Sequence, residues 1–127
     1  MSQVTAEHVG LLRRFATQEA ARTRRGRRWL ELLGTHQQEL LHRYAASPTL
    51  RERTEQVLAT AAALVESIDT DRPRVVDAGA IAAVEAILTE LDTQASADLR
   101  QATGDLRRDV HAVRGKTIRE ALGPHDT

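Results

Sequence analysis

The chain has 127 residues, 18 basic against 18 acidic, and no cysteine. That length suits one domain spanning 1–127, and the lack of cysteine excludes a disulfide framework or a thiolate metal site. Net charge is zero but unevenly placed: residues 1–30 carry seven Arg against two Glu, and residues 66–98 carry eight acids against Arg72 and Arg74.

The first residues, Met1-Ser2-Gln3-Val4, have neither a basic start nor an apolar run, so no signal peptide is expected and the default location is cytoplasmic. Thr5 is placed to cap a first helix, with Glu7 near its positive end. From Leu12 an apolar seam runs through Ala16, Glu19, Thr23, Gly26, Leu30 and Leu33 in steps of three and four. Its middle is thin, because Glu19, Thr23 and Gly26 stand where large apolar groups would fill a core. Gly34-Thr35 reads as a stop followed by a cap, with Gln38 completing a capping box. The seam continues in phase through Gln37, Leu40, Leu41 and Tyr44. The spacing therefore predicts a break or kink at Gly34, with one bent helix over 5–46 as the alternative.

The clearest element is Thr49–Ile68. Leu50, Val57, Leu58, Ala61, Leu64, Val65 and Ile68 form one stripe, with Thr54 filling its gap. Ser47 can cap it, Pro48 suits the first helical position, and Asp69-Thr70-Asp71-Arg72-Pro73 closes it. Leu50, Val57, Leu58, Leu64, Val65 and Ile68 are the predicted core. The apolar run inside it, Val57–Val65, is about half of what a bilayer span requires, so no membrane segment is expected. Pro73 or Asp77 starts the next helix, whose face is Ile81, Val84, Ile87, Leu88 and Leu91. Thr93 and Ser96 mark a possible break, yet Ala95, Leu99, Ala102, Leu106, Val110 and Val113 keep the phase to about Ala121. Gly123-Pro124 ends it, and residues 123–127 are expected to fray.

Twenty Ala and fifteen Leu against three aromatics, Phe15, Trp29 and Tyr44, favour helix throughout. The fold class expected is all-α: an antiparallel bundle of three to five helices, with a central hairpin 48–69/73–92 and long outer helices near 5–33 and 96–121. Seventeen Arg against one Lys, with abundant Ala, is the usage of a GC-rich bacterial genome. The Arg count is discounted accordingly.

Three constellations bear on function. On a straight helix Arg13, Arg14, Arg24, Arg25, Arg27 and Arg28 share the face opposite the seam, a cationic stripe able to follow phosphates or an acidic partner. Its competing reading is a solvated face neutralised by the acidic 66–98 segment. Second, His111-Ala-Val-Arg114-Gly115 resembles, over five residues, the His-x-x-Lys/Arg-Gly segment of histidine-containing phosphotransfer domains, which are also helical bundles. By that resemblance His111 is the phosphoacceptor, steadied by Arg114, with Gly115 opening the approach. The match departs from the family in having only sixteen residues after His111, where further helices normally follow. Third, Glu39-Leu-Leu-His42 has the spacing that places two metal ligands on one helix face. No second such motif accompanies it, so an exposed pair is expected rather than a metal site, and no cofactor is expected. Phosphate-loop, dinucleotide and nucleophile-elbow motifs do not occur.

The function expected is a non-catalytic interaction, adaptor or small-subunit protein that meets a protein partner or a second copy of itself. Nucleic acid at the Arg face is the sharper variant, and phosphotransfer through His111 is the alternative from a different class. The thin seam between Ala16 and Trp29 is what motivates a partner.

Overall fold

The computed structural model of the chain describes residues 3–125. Among them lie seven helices: α1 (Gln3–Gln18), α2 (Arg24–Thr35), α3 (Gln37–Ala46), α4 (Pro48–Glu66), α5 (Ala78–Asp92), α6 (Ala97–Ala112) and α7 (Ile118–Leu122), with a 3₁₀ turn at Ala20–Arg22. The all-α class holds, and the helices are more numerous and shorter than the periodicity predicts. Among the described residues no helix is long and apolar enough to cross a membrane.

The N-terminal half departs most from expectation. Thr5 does not cap, because α1 already runs at Gln3 and Thr5 is buried within it. The chain then breaks at Glu19–Thr23, where no break is predicted. Thr23 adopts extended backbone, and its Oγ1 accepts the Gly26 N–H at 3.0 Å and donates to the Ala20 carbonyl at 3.0 Å. Thr23 is only 2% exposed. A Cβ at position 26 would lie 2.0 Å from the Ala20 carbonyl oxygen, so this corner requires glycine. The thin middle of the seam therefore forms a corner in which Thr23 and Gly26 pack against Ala20. The second break falls at His36 instead of Gly34. Gly34 stays helical, since among the described residues the only glycines at positive φ are Gly115 and Gly123.

The central pair forms as expected: α4 packs on α5, α1 and α3, and α5 packs on α6. Ser47 Oγ accepts the Leu50 N–H at 3.1 Å, Asp77 Oδ1 accepts the Ala80 N–H at 2.8 Å, and Ser96 Oγ accepts the Leu99 N–H at 3.2 Å. Each polar cap sits where it satisfies an orphan amide of a first turn. The α4 stripe is covered unevenly. Leu50 and Val65 are buried, while Val57, Leu58, Leu64 and Ile68 are half-buried.

The expected long helix 96–121 is interrupted. Gly115, at φ +82°, turns the chain after α6, and the following segment pairs with residues 75–76. Val76 donates to Lys116 O and accepts from Gly115 N, both at 2.8 Å. A capping box at Thr117 and Glu120 then starts α7. This turn closes a core cluster in which Val76, Ala80, Ile81, Val110, Val113 and Ala121 meet. At the end expected to fray, His125 Nε2 lies 3.1 Å from Glu19 Oε2. Asp126 and Thr127 lie outside the described residues.

Candidate interaction surface

The corner at Thr23 splits the cationic stripe between two helices. Arg13 and Arg14 are exposed on α1, whereas Arg24, Arg25, Arg27 and Arg28 belong to the first two turns of α2. Two of the six are drawn into the fold. Arg25 Nη1 donates to the Ala121 carbonyl at 2.9 Å, joining α2 to α7. Arg28 pairs with Asp109, and Trp29 Nε1 donates to the same carboxylate oxygen at 3.0 Å, joining α2 to α6. Burial works to raise the Asp109 carboxyl, but the bonds from Trp29 and Arg28, with the charges of Arg28 and Arg25, outweigh it and hold the group below its ordinary value. Arg27 Nη1 lies 3.4 Å from the Ala21 carbonyl. Arg13, Arg14 and Arg24 are exposed to solvent.

Three acids of the 66–98 segment are engaged elsewhere. Arg107 bonds Glu85 through Nε at 2.9 Å and Asp92 through Nη2 at 3.2 Å, and Arg119 pairs with Asp69 at 3.0 Å. Thr103 Oγ1 donates to Asp92 at 2.7 Å, completing a polar zipper between α5 and α6. These acids thus meet C-terminal arginines, and not those of α1 and α2.

His111 ends this zipper. Its Nε2 lies 2.9 Å from Glu85 Oε1, and its side chain is half exposed. The His111 bond, then that of Arg107, lower the Glu85 carboxyl against the opposing effect of burial. A phosphoryl group on Nε2 would displace this bond and face a carboxylate. Gly115 has its own structural reason in the left-handed turn, and Arg114 is exposed in that turn with its N–H donating to His111 O at 3.3 Å.

Glu39 is spent on packing. Its two oxygens accept from the Ser96 hydroxyl at 2.6 Å and the Ser96 N–H at 2.8 Å, binding α3 to the α5–α6 corner. Those two bonds, with the nearby Arg43 and His36 charges, lower its carboxyl. His42 is exposed. Among the described residues no group of three or more His, Cys, Asp or Glu could hold a metal ion. A cleft of about 290 Å³ opens between Phe15, Thr23, Arg119 and Leu122, and Glu19 and His125, which bond each other, line it as well.

What the periodicity does not reveal is the poor cover of α2 and α3. Neither buries a large side chain: Gly26 is the only buried residue of α2, and α3 has none. Leu33 and Leu41 continue the seam, yet they are 51% and 58% exposed. The seam is real as a pattern but unevenly covered, with Leu33 and Leu41 exposed and Leu40 and Tyr44 half-buried. Asp109 also escapes the sequence pattern, since nothing local couples it to residues 80 positions earlier. No protein-family model matches the chain, and no curated protein or solved structure matches it.

Proposed function

We propose that this chain is a non-catalytic helical interaction module that presents its α2–α3 arm to a protein partner. The observation that carries the reading is the burial pattern: helices of twelve and ten residues hold no buried large side chain, and Leu33 and Leu41 stand more than half in solvent. Amphipathic helices gain most of their stability from covering an apolar face, so an arm left this open gains by being covered. The test is a photo-reactive benzoylphenylalanine at position 41, with the exposed Ala82 on α5 as the control position. Irradiation in cells should give covalent protein adducts from position 41 and not from 82. Equal yields at the two positions overturn the reading.

Contact with nucleic acid or an acidic partner is the second reading, and it rests on the exposure of Arg13, Arg14 and Arg24. Phosphotransfer through His111 ranks below both, because Glu85 Oε1 occupies the approach to Nε2 at 2.9 Å.

A further inference from the structure

The α2–α3 arm is joined to the rest of the fold by polar bonds more than by packing. α2 packs on the 3₁₀ turn and on α7, and α3 packs on α4. Among the described residues α6 is a close neighbour of neither, and Gly26 is the sole buried residue of the two helices. The links to the C-terminal third of the chain are three clasps. Arg25 donates to the Ala121 carbonyl at 2.9 Å, Trp29 and Arg28 meet Asp109, and Glu39 accepts the hydroxyl and the N–H of Ser96. Position 28 meets 109 and position 39 meets 96, so the arm runs antiparallel to α6 and is clasped near both ends of that helix.

The two ends of the arm are self-contained. At one, Thr23 is extended and its Oγ1 bonds Gly26 and Ala20, all within residues 20–26. At the other, extended Ser47 separates α3 from α4, and Arg51 Nη1 donates to the Tyr44 and Ala45 carbonyls at 3.2 and 2.9 Å. None of these bonds reaches α6 or α7, so they survive when the clasps part. Helical bonds also run across the break between α2 and α3. His36 donates to Leu32 O at 3.2 Å, and its own carbonyl accepts from Leu40 N at 2.9 Å. The arm is one bent rod.

We infer that the arm is a latch: residues 24–46 swing off α6 and α7 as one unit, pivoting at Thr23 and Ser47, while α4 and α5 stay folded. Water replaces each clasp bond when it parts, so a clasp contributes only modestly to holding the arm closed. Opening α4 or α5 instead takes buried Leu50, Leu88 and Leu91 into water, and that loss of apolar burial is larger. Local opening therefore precedes global unfolding at the arm. Trp29, tied to α6 through Asp109, is freed with it. The motion is a property of the closed fold, whether or not a partner covers Leu33 and Leu41.

Amide hydrogen exchange of the full chain, read by mass spectrometry under native conditions, tests the latch. Peptides from residues 24–46 should share one level of protection and exchange at least about 10-fold faster than those of α4 and α5. Their exchange should respond weakly to low denaturant, since opening the arm exposes little surface, whereas that of α5 should respond steeply. Glu39→Ala cuts a clasp on α3 alone, yet it should speed α2 by the same factor as α3. Asp109→Ala cuts the clasp on α2, and it should speed α3 together with α2 by about 5- to 150-fold. Should either variant unfold, Glu39→Gln replaces it, weakening the Ser96 clasp without a cavity. Arm protection equal to that of α5 overturns the latch. So does acceleration confined to the helix that carries the substitution. Exchange of 24–46 at the rate of an unfolded chain overturns it too, because the clasps then hold nothing closed.

Discussion

Asp109 accepts from Trp29 and Arg28 at once, and through them α6 holds the first turns of α2. Its side chain is 22% exposed and that of Arg28 is 55% exposed, so the two partners are not equal. Removing Asp109 leaves a half-buried indole N–H without its acceptor, which costs about 1–3 kcal/mol. Asp109→Ala should therefore destabilise by that amount, while Arg28→Ala, an exposed ion pair, should cost at most about 1 kcal/mol. Trp29 is the sole tryptophan, so its fluorescence reports the lost contact directly. Equal losses for the two variants would count against this ordering. The arginines that remain in solvent limit the nucleic-acid reading in the same quantitative way. If Arg13, Arg14 and Arg24 alone meet a duplex, the log–log salt slope of binding should be no steeper than about −2.7, from about −0.9 per phosphate. A steeper slope requires further arginines of the stripe to take part, Arg27 from its contact with the Ala21 carbonyl, or Arg25 or Arg28 by leaving Ala121 or Asp109.

Among the elements, the three glycines Gly26, Gly34 and Gly115 separate what a helix wants from what a corner needs. Gly34 is helical and exposed, and a methyl group added there would meet nothing within 4 Å, so Gly34→Ala should stabilise by about 1 kcal/mol through helix propensity alone. Gly26 is equally helical, yet its Cβ would strike the Ala20 carbonyl, so Gly26→Ala should reverse that sign and open the α1–α2 corner. Gly115→Ala is strained by its φ of +82°, costing on the order of 1–2 kcal/mol at the α6–α7 turn. Thermal melts of the three variants should rank Gly34→Ala above wild type and the other two below it. Two leucines make the same point for packing. Leu99 on α6 is 1% exposed and its truncation to Ala should cost about 2–5 kcal/mol, whereas half-buried Leu58 should cost less. Denaturant midpoints in the opposite order would place the core elsewhere.

For the molecule as a whole, four carboxylates are held below their ordinary values: Glu39 by Ser96, Glu85 by His111 and Arg107, Asp109 by Trp29 and Arg28, and Glu120 by the Thr117 backbone and hydroxyl. Each ties together two elements or begins one. A depressed folded pKa gives stability that is present above the unfolded value, about 4, and lost as pH falls through the lower folded value. The melting temperature should accordingly hold from about pH 7 to about 5 and fall steeply below about 4. Glu85→Gln should flatten that fall, because the zipper then takes up one proton fewer on unfolding at acid pH. A melting temperature that rises on acidification would contradict all four assignments.

The class of fold and the positions of its best helices are legible in the residues alone. Steps of three and four with Ser47, Asp77 and Ser96 as caps specify α4, α5 and α6 locally, because a cap and a periodic face are written within a few residues of each other. Periodicity does not reveal where a face stops being covered. It carries one seam from Leu12 to Tyr44, through a corner made by contact between Gly26 and Ala20 and past a turn at His36, although Leu33 before that turn and Leu41 after it both stand in solvent. The arginine stripe divides for the same reason, since a straight helix is its premise. Which charges meet is likewise settled only by the tertiary fold: Arg28 reaches Asp109 across 81 residues and Arg25 reaches Ala121 across 96. Such pairings depend on distance in space, and spacing along the chain does not encode it.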